Sequence, residues 1–130
     1  MTLPIENLCV LLVEDDPIIG LDLRNTLEAA GAVVIGPAHD LVGALALLER
    51  APVDVCVLDH LIIGGDSLPF ADLLVQRRIA FLFHTSHRAD LHKRFPAVPI
   101  IDKPSRPDEL VKSLQALAVK RPEIAAQPGG

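Results

Sequence analysis

Aromatic residues are almost absent from this chain. Its 130 residues include four Phe and neither Trp nor Tyr, although 50% of them are hydrophobic. The interior must therefore be built mainly from Leu, Val, Ile and Ala, which suits a sheet covered by helices on both faces. A chain of this length is expected to form one domain whose core needs no disulfide or structural metal.

Cysteine is also scarce, and the chain has only Cys9 and Cys56. Both fall inside predicted buried strands, and no metal-ligand spacing relates them. We therefore expect reduced thiols that pack as small apolar side chains. The five histidines, at positions 39, 60, 84, 87 and 92, are too scattered for a spaced zinc motif.

Basic clusters and long apolar runs are missing as well. The formal net charge is -5 and no block of Lys and Arg stands out, so direct nucleic-acid binding is not expected. The first six residues lack the basic region of a signal peptide, and no apolar run approaches the ~18 residues that cross a bilayer. We expect a soluble, cytoplasmic protein without membrane insertion.

What the chain does contain is two apolar runs that end abruptly in acids. The run at positions 11–13 is followed by Glu14 and Asp15, and the run at positions 53–58 is followed by Asp59. If both runs are neighbouring parallel strands, these acids lie at the edge where open α/β sheets bind their ligands. The three carboxylates would then share a pocket suited to a divalent cation.

Helical patterns alternate with the apolar runs along the whole chain. This order predicts an α/β fold, a doubly wound five-stranded parallel sheet with right-handed crossovers and helices on both faces. The predicted strands are a first strand that includes Cys9 and ends at Val13, followed by 32–36, 53–59, 79–84 and 98–102, and the predicted helices are 17–30, 40–50, 68–78 and 105–120.

Local signals mark the ends of several of these elements. Asp16 and Asp40 are expected to cap the first two helices, and Gly31 to stop the first. Ser105 opens a capping-box pattern for the last helix. We predict one domain over residues 1–120, followed by a flexible tail over residues 121–130 that is rich in Pro, Gly and Ala.

The residues that follow the predicted strands form an ordered set. They are, in turn, Glu14-Asp15, Asp59, Thr85 and Lys103-Pro104. This order of acid pair, acid, hydroxyl and lysine resembles the receiver domain of two-component response regulators, over about residues 8 to 120. The resemblance implies a flavodoxin-like sheet with strand order 2-1-3-4-5.

The resemblance also implies a metal-dependent phosphoryl acceptor. Asp59 would take the phosphoryl group from a histidine kinase or a histidine phosphotransfer protein, in a reaction that needs Mg²⁺. Asp15 and Asp59 would bind the ion directly, and Glu14 partly through water. The backbone carbonyl of Leu61 would complete the protein ligands.

Two further residues would contact the phosphoryl group itself. The resemblance implies that Lys103 pairs with one phosphoryl oxygen, that the Thr85 hydroxyl donates to another, and that the Lys103–Pro104 peptide is cis. Such a domain is not an ordinary enzyme, although it assists its own phosphorylation and dephosphorylation. It would serve a phosphorelay and signal in trans through protein–protein contacts with a partner that the sequence does not identify.

Departures from the common receiver pattern point to a subgroup. Ile100 stands three residues before Lys103, where receivers often carry an aromatic switch residue, and only 17 residues separate Thr85 from Lys103. The fourth helix is therefore expected to be short or missing. The segment 80–87, with its two Phe and its Thr, is similar to the signature of the FAT GUY receivers, which often stand alone and lack the aromatic switch.

Two other functions stay open from the sequence. An unphosphorylated pseudo-receiver would keep the fold and bind partners only. A haloacid-dehalogenase-like phosphatase would also use a strand-end Asp, Mg²⁺, Thr and Lys, but it needs a second Asp two residues after the nucleophile as general acid and base. Leu61 occupies that position.

Overall fold

The computed structural model describes residues 2–62, 65–88 and 90–125, and its elements follow the predicted alternation of strands and helices. The strands are β1 (Cys9–Val13), β2 (Val33–Ala38), β3 (Val55–Leu58), β4 (Leu61–Ile62), β5 (Gly65–Asp66), β6 (Ala80–Thr85) and β7 (Ile100–Asp102). The helices are α1 (Pro17–Ala29), α2 (Leu41–Arg50), α3 (Leu68–Gln76), α4 (Leu91–Arg94) and α5 (Pro107–Ala125).

Five of the strands form one parallel sheet in the order β2-β1-β3-β6-β7. The other two, β4 and β5, pair antiparallel with each other outside it. Counting only the strands of the large sheet, the order is 2-1-3-4-5, which confirms the predicted doubly wound flavodoxin-like fold. The small β4–β5 pair was not predicted, because two-residue strands leave no periodic signal in a sequence.

The sheet is buried on both faces by separate apolar clusters. On one face, α1 and α5 bury Leu23, Leu27, Leu110 and Leu114. On the other face, α2 and α3 bury Ala44, Leu48, Phe70 and Leu74. All four Phe lie on this second face, and three of their rings pack with centroids 5.5 to 6.0 Å apart. The few aromatic residues of the chain are thus concentrated in one half of the core.

The predicted helix ends are confirmed at α1 and α2. The Asp16 carboxylate accepts from the N–H groups of Ile18 and Ile19, at 2.9 and 3.2 Å. The Asp40 carboxylate accepts from Gly43 N–H at 2.7 Å. After α1, Gly31 adopts φ 103°, a conformation that favours glycine, and an added Cβ would lie 2.7 Å from the Glu6 backbone.

The start and the end of the last helix differ from the prediction. Because proline is well suited to the first helical position, α5 begins at Pro107, and Ser105 lies outside the capping position. The predicted capping box is therefore wrong. The helix also continues past residue 120 to Ala125, so the first half of the predicted tail is helical. Residues 126–130 of that tail lie outside the described residues.

The helix between β6 and β7 is short, as predicted. Helix α4 has 4 residues, as expected from the short spacing between Thr85 and Lys103. Strand β7, at 3 residues, is shorter than predicted. Within the described ranges, no helix is both long enough and apolar enough to cross a membrane.

Candidate functional site

Strand register brings the predicted site residues to one edge of the sheet. Val13 of β1 pairs with Leu58 of β3, and Leu58 pairs with Phe83 of β6. The next residues along β1 and β3, Glu14 and Asp59, therefore leave the sheet at the same level. The Asp59 N–H donates to the Val13 carbonyl at 3.1 Å, which fixes this level.

Three carboxylates meet at this edge, as predicted. One carboxylate oxygen each from Glu14, Asp15 and Asp59 can be chosen so that all lie within 4.8 Å of one another. Glu14 is 1% exposed and Asp59 5%, whereas Asp15 is half-buried. Burial raises the pKa of Glu14, although the nearby Lys103 opposes this effect. Hard divalent cations prefer such oxygen ligands, so the donor set fits Mg²⁺.

Lys103 lies between two of these acids. Its Nζ is 2.6 Å from both Glu14 Oε1 and Asp59 Oδ2, and its side chain is 13% exposed. Burial acts to lower the pKa of Lys103, but the bonds to Asp59 and Glu14 together outweigh burial and hold the pKa above its ordinary value. The ammonium therefore stays charged and offsets the repulsion between the carboxylates. The Lys103–Pro104 peptide is cis, as the resemblance implied.

Asp59 accepts hydrogen bonds both at its carboxylate and at its backbone carbonyl. One carboxylate oxygen accepts from Leu61 N–H at 3.3 Å, and the Asp59 carbonyl accepts from the Ser67 hydroxyl at 2.5 Å. Ser67 is fully buried and makes no side-chain cap to α3, the helix that it precedes. This role of Ser67 was not predictable from the sequence, because a serine before a helix indicates a cap and not a contact with a distant carbonyl.

Thr85 lies at the same edge but is not joined to the acids. It is fully buried, and its Oγ1 accepts from His87 N–H at 3.0 Å. No hydrogen bond links it to Asp59 among the described residues. Leu61 belongs to β4 and pairs with Asp66 of β5. The role of its carbonyl as a metal ligand stays a prediction.

Histidines surround the site in a way that the sequence did not indicate. His39 Nδ1 lies 3.0 Å from the Glu14 carbonyl, and His60 Nδ1 lies 2.9 Å from the His87 carbonyl. Because a carbonyl only accepts, Nδ1 carries the proton in both rings. His84 is buried on β6, and its Nε2 lies 2.9 Å from the Ser105 hydroxyl. These contacts depend on loop positions that no spacing rule predicts.

A groove of about 470 Å³ opens beside Lys103, between α1 and the loop before α5. It is lined by Ile19, Leu23, His84, Pro104 and Ser105, among others. Ile18, at its rim, is 81% exposed. The pocket of acids thus adjoins a mostly apolar surface.

Comparison with known proteins identifies the family. The family model described as "Response regulator receiver domain" matches residues 10–115. The chain is a response regulator receiver domain. Receiver domains serve two-component signalling, and this membership agrees with the parallel sheet and the strand-end residues described above.

Individual proteins that resemble this receiver domain share about a quarter to a third of its residues. It is 26% identical over 125 residues to the "Transcriptional regulatory protein PdtaR" of Mycobacterium tuberculosis, with 92% of this chain but only 61% of that protein covered. The solution structure of SdrG from Sphingomonas melonis Fr1 is 35% identical, has a TM-score of 0.74, and is matched over 85% of this chain and 96% of its own. The crystal structure of the response regulator PhyR from Brucella abortus is 26% identical, with a TM-score of 0.76, over 92% of this chain and 50% of its own.

The cysteines of the receiver domain take no part in the site. Cys56 is completely buried in β3, where burial raises the pKa of its thiol, as expected of a small core residue. Cys9 is half-buried at the start of β1, and its N–H donates to the Asp54 carboxylate at 2.9 Å. Both positions lie on strands of the large sheet, in agreement with the prediction that placed them there.

Proposed function

We propose that Asp59 of this receiver domain accepts a phosphoryl group from a histidine kinase or a histidine phosphotransfer protein. The observation that carries the proposal is the Lys103 ammonium, shared at 2.6 Å between Asp59 and Glu14 at the carboxyl edge of the sheet. A carboxylate nucleophile needs positive charge nearby to approach an anionic phosphoryl group. The pocket supplies that charge next to the nucleophile.

In the proposed step, an Asp59 carboxylate oxygen attacks the phosphorus of a phosphohistidine. The phosphorus–oxygen bond of an acyl phosphate forms as the phosphorus–nitrogen bond breaks, and the departing imidazole takes a proton from solvent. Lys103 would shift part of its pairing from the two acids to a phosphoryl oxygen, and Thr85 would turn its hydroxyl proton to another. Both residues already lie at this edge of the sheet.

The carboxylates are also suited to hold a metal during this step. Glu14, Asp15 and Asp59, with the carbonyl of Leu61, would bind Mg²⁺, in line with their clustered oxygens. Bound Mg²⁺ would neutralise charge on the phosphoryl oxygens. Glu14 and Asp59 are both almost completely buried at this edge of the sheet.

The phosphorylated domain would act by changing its affinity for a partner protein. The reduced segment between β6 and β7 begins directly after Thr85, and Lys103 directly follows β7; these are the two residues expected to move toward the phosphoryl group. A change there alters a protein surface, which suits signalling in trans by protein–protein contact. We place this activity in the cytoplasm, where histidine kinases present their phosphoryl groups.

Phosphorylation by a small donor tests the proposal. Incubation with phosphoramidate and Mg²⁺ should add one phosphoryl group that hydroxylamine removes, seen by intact-mass measurement. Asp59→Asn should abolish the addition, because an amide is not a nucleophile of this kind. Asp108→Asn, the same change at an exposed position of α5, is the matched control and should be phosphorylated normally.

The same experiment separates the rival functions. A pseudo-receiver would fold and bind Mg²⁺ but take up no phosphoryl group. A phosphatase would release inorganic phosphate continuously, which requires an acid and base two residues after the nucleophile. That position holds Leu61, whose side chain exchanges no protons. Equal phosphate uptake by Asp59→Asn and wild type would overturn the assignment of the acceptor.

A further inference from the structure

His84 is unusual among the site's neighbours because it is buried but faces away from the acids. Side chains alternate along β6, so Phe83 and Thr85 share one face of the sheet and Leu82 and His84 share the other. His84 is 3% exposed and lines the groove beside α1. It does not contact phosphoryl oxygens in the chemistry proposed above.

His84 forms a hydrogen bond with a residue that lies close to Lys103 in the chain. His84 Nε2 lies 2.9 Å from Ser105 Oγ, and Ser105 comes two residues after Lys103. The adjacent β6 residue, Thr85, accepts from Lys103 N–H through its carbonyl at 3.0 Å. Two successive residues of a central strand therefore hold both ends of the three-residue segment that carries the lysine.

A buried histidine at this position would lower the stability of the fold if its side chain only filled space. Its Nδ1 is buried and has no hydrogen-bond partner among the described residues. Burial, with a smaller contribution from the Lys103 cation, lowers the pKa of His84 to about 4. The ring is therefore uncharged at neutral pH and adds no second cation beside the ammonium. What histidine provides that an apolar residue would not is the bond to Ser105.

We propose that His84 is a positioning residue for Lys103: its hydrogen bond to Ser105 anchors the Lys103–Ser105 segment to the end of β6 so that the ammonium reaches both Asp59 and Glu14. The inference rests on the proposed function, because Lys103 matters for phosphoryl transfer only if Asp59 is the acceptor. A shift of a reacting group by about 1 Å can cost up to roughly a hundredfold in rate. Loss of an anchor two residues from Lys103 is therefore sufficient to slow the reaction.

The test compares two replacements of His84 whose side-chain amides lie at different distances from the backbone. The amide of glutamine lies about as far from the backbone as imidazole Nε2, whereas the amide of asparagine ends near the position of Nδ1. His84→Asn and Ser105→Ala should each slow phosphorylation by phosphoramidate about tenfold, while His84→Gln should stay within about twofold of wild type. The double variant His84→Asn with Ser105→Ala should be no slower than either single variant, because all three lack the same bond.

A second readout follows the lysine itself. Heteronuclear NMR on lysine-labelled protein should show faster solvent exchange of the Lys103 ammonium protons in His84→Asn and Ser105→Ala, but not in His84→Gln. His92→Asn, at an exposed histidine of α4, is the matched control and should change neither readout. If His84→Asn does not fold, the comparison of Ser105→Ala with wild type still decides the question.

The possible outcomes separate the two proposals. If wild-type protein takes no phosphoryl group on Asp59, the proposed function fails, while the ammonium exchange still reports whether His84 positions Lys103. If Asp59 is phosphorylated but His84→Asn and Ser105→Ala match wild type in both readouts, the positioning role is wrong. Additive losses in the double variant would also overturn it, since they would show two independent effects.

Discussion

At the scale of single residues, the site depends on charges that are buried together. Glu14 and Asp59 are almost completely removed from solvent, and the ammonium of Lys103 lies within 2.6 Å of each. Two buried carboxylates without this cation would repel each other and lack compensation for their lost hydration. The Lys103 ammonium therefore compensates the buried negative charge of the proposed phosphoryl acceptor, Asp59, and of Glu14.

His84 makes the stability of the protein depend on pH. Its folded pKa is about 4, below the ordinary value of 6.5, so the unfolded chain binds more protons between these values. Stability is then unaffected by His84 at neutral pH and is lost as the pH falls through 6.5 toward 4. His84→Gln should lose less stability on acidification, by about 2 kcal/mol at pH 5 relative to pH 7.

Urea unfolding of wild type and His84→Gln at several pH values measures this difference. Every other titrating group is common to both proteins, so the difference between the two curves isolates His84. Parallel curves from pH 7 to pH 5 would show that the ring is not buried in its neutral form.

At the scale of elements, the segment between β6 and β7 is held by a few side chains. The Arg88 guanidinium contacts both carboxylate oxygens of Asp102, at 3.1 and 3.0 Å, and Arg94 pairs with Asp72 of α3 at 2.5 Å. Leu91 and Phe95 bury this segment against the sheet. The ion pairs are exposed and contribute little to stability, so the apolar side chains provide most of the attachment.

Activation should reorganise mainly residues 85 to 97. Phosphoryl oxygens on Asp59 would recruit the Thr85 hydroxyl at the start of this segment and the Lys103 ammonium directly after β7, while the parallel sheet stays rigid. A side-chain swing at position 100 should contribute little, because Ile100 is half-buried and lacks an aromatic ring.

Hydrogen exchange with and without beryllofluoride and Mg²⁺ tests this expectation. Amide protection should change within residues 85–97 and remain constant in β1 and β3. A change confined to α1 or α2 would contradict this description of the switch.

At the scale of the whole molecule, a divalent cation should stabilise the fold. Clustered carboxylates favour cation binding to the folded state only, because the unfolded chain separates them. Saturating Mg²⁺ should therefore raise the melting temperature, by roughly 10 °C for a hundredfold excess over the dissociation constant. Asp15→Asn should weaken this effect, and Asp108→Asn should not.

Calorimetric titration with Mg²⁺ accompanies the melting experiment. An unchanged melting temperature in the wild type, together with no heat of binding, would show that the acids do not form a shared cation site.

The fold and the outline of the site were predictable from the sequence because their signals are local. Each central strand is a short apolar run, and Glu14 and Asp59 mark where two of them end, so neighbouring parallel strands suffice to bring the acids together. Asp16 and Asp40 likewise mark the residues at which their helices begin. The spacing of Thr85 and Lys103 likewise predicts the reduced α4.

The contacts that hold the site in place were not predictable, because they join loops in three dimensions. Ser67 and Ser105 both precede helices, where a serine ordinarily indicates a cap, yet their hydroxyls bind the Asp59 carbonyl and the His84 ring. A sequence pattern identifies the residues at the ends of strands, but it does not show which distant side chain anchors them.

Localisation of the phosphoryl group tests the central claim most directly. After incubation with phosphoramidate and Mg²⁺, borohydride reduction converts a phosphorylated aspartate into homoserine, and peptide mass spectrometry finds its position. We predict homoserine at position 59 and at no other acid of the pocket. Homoserine at position 15, or unmodified aspartate at every position in a folded protein, would contradict the assignment of Asp59 as phosphoryl acceptor.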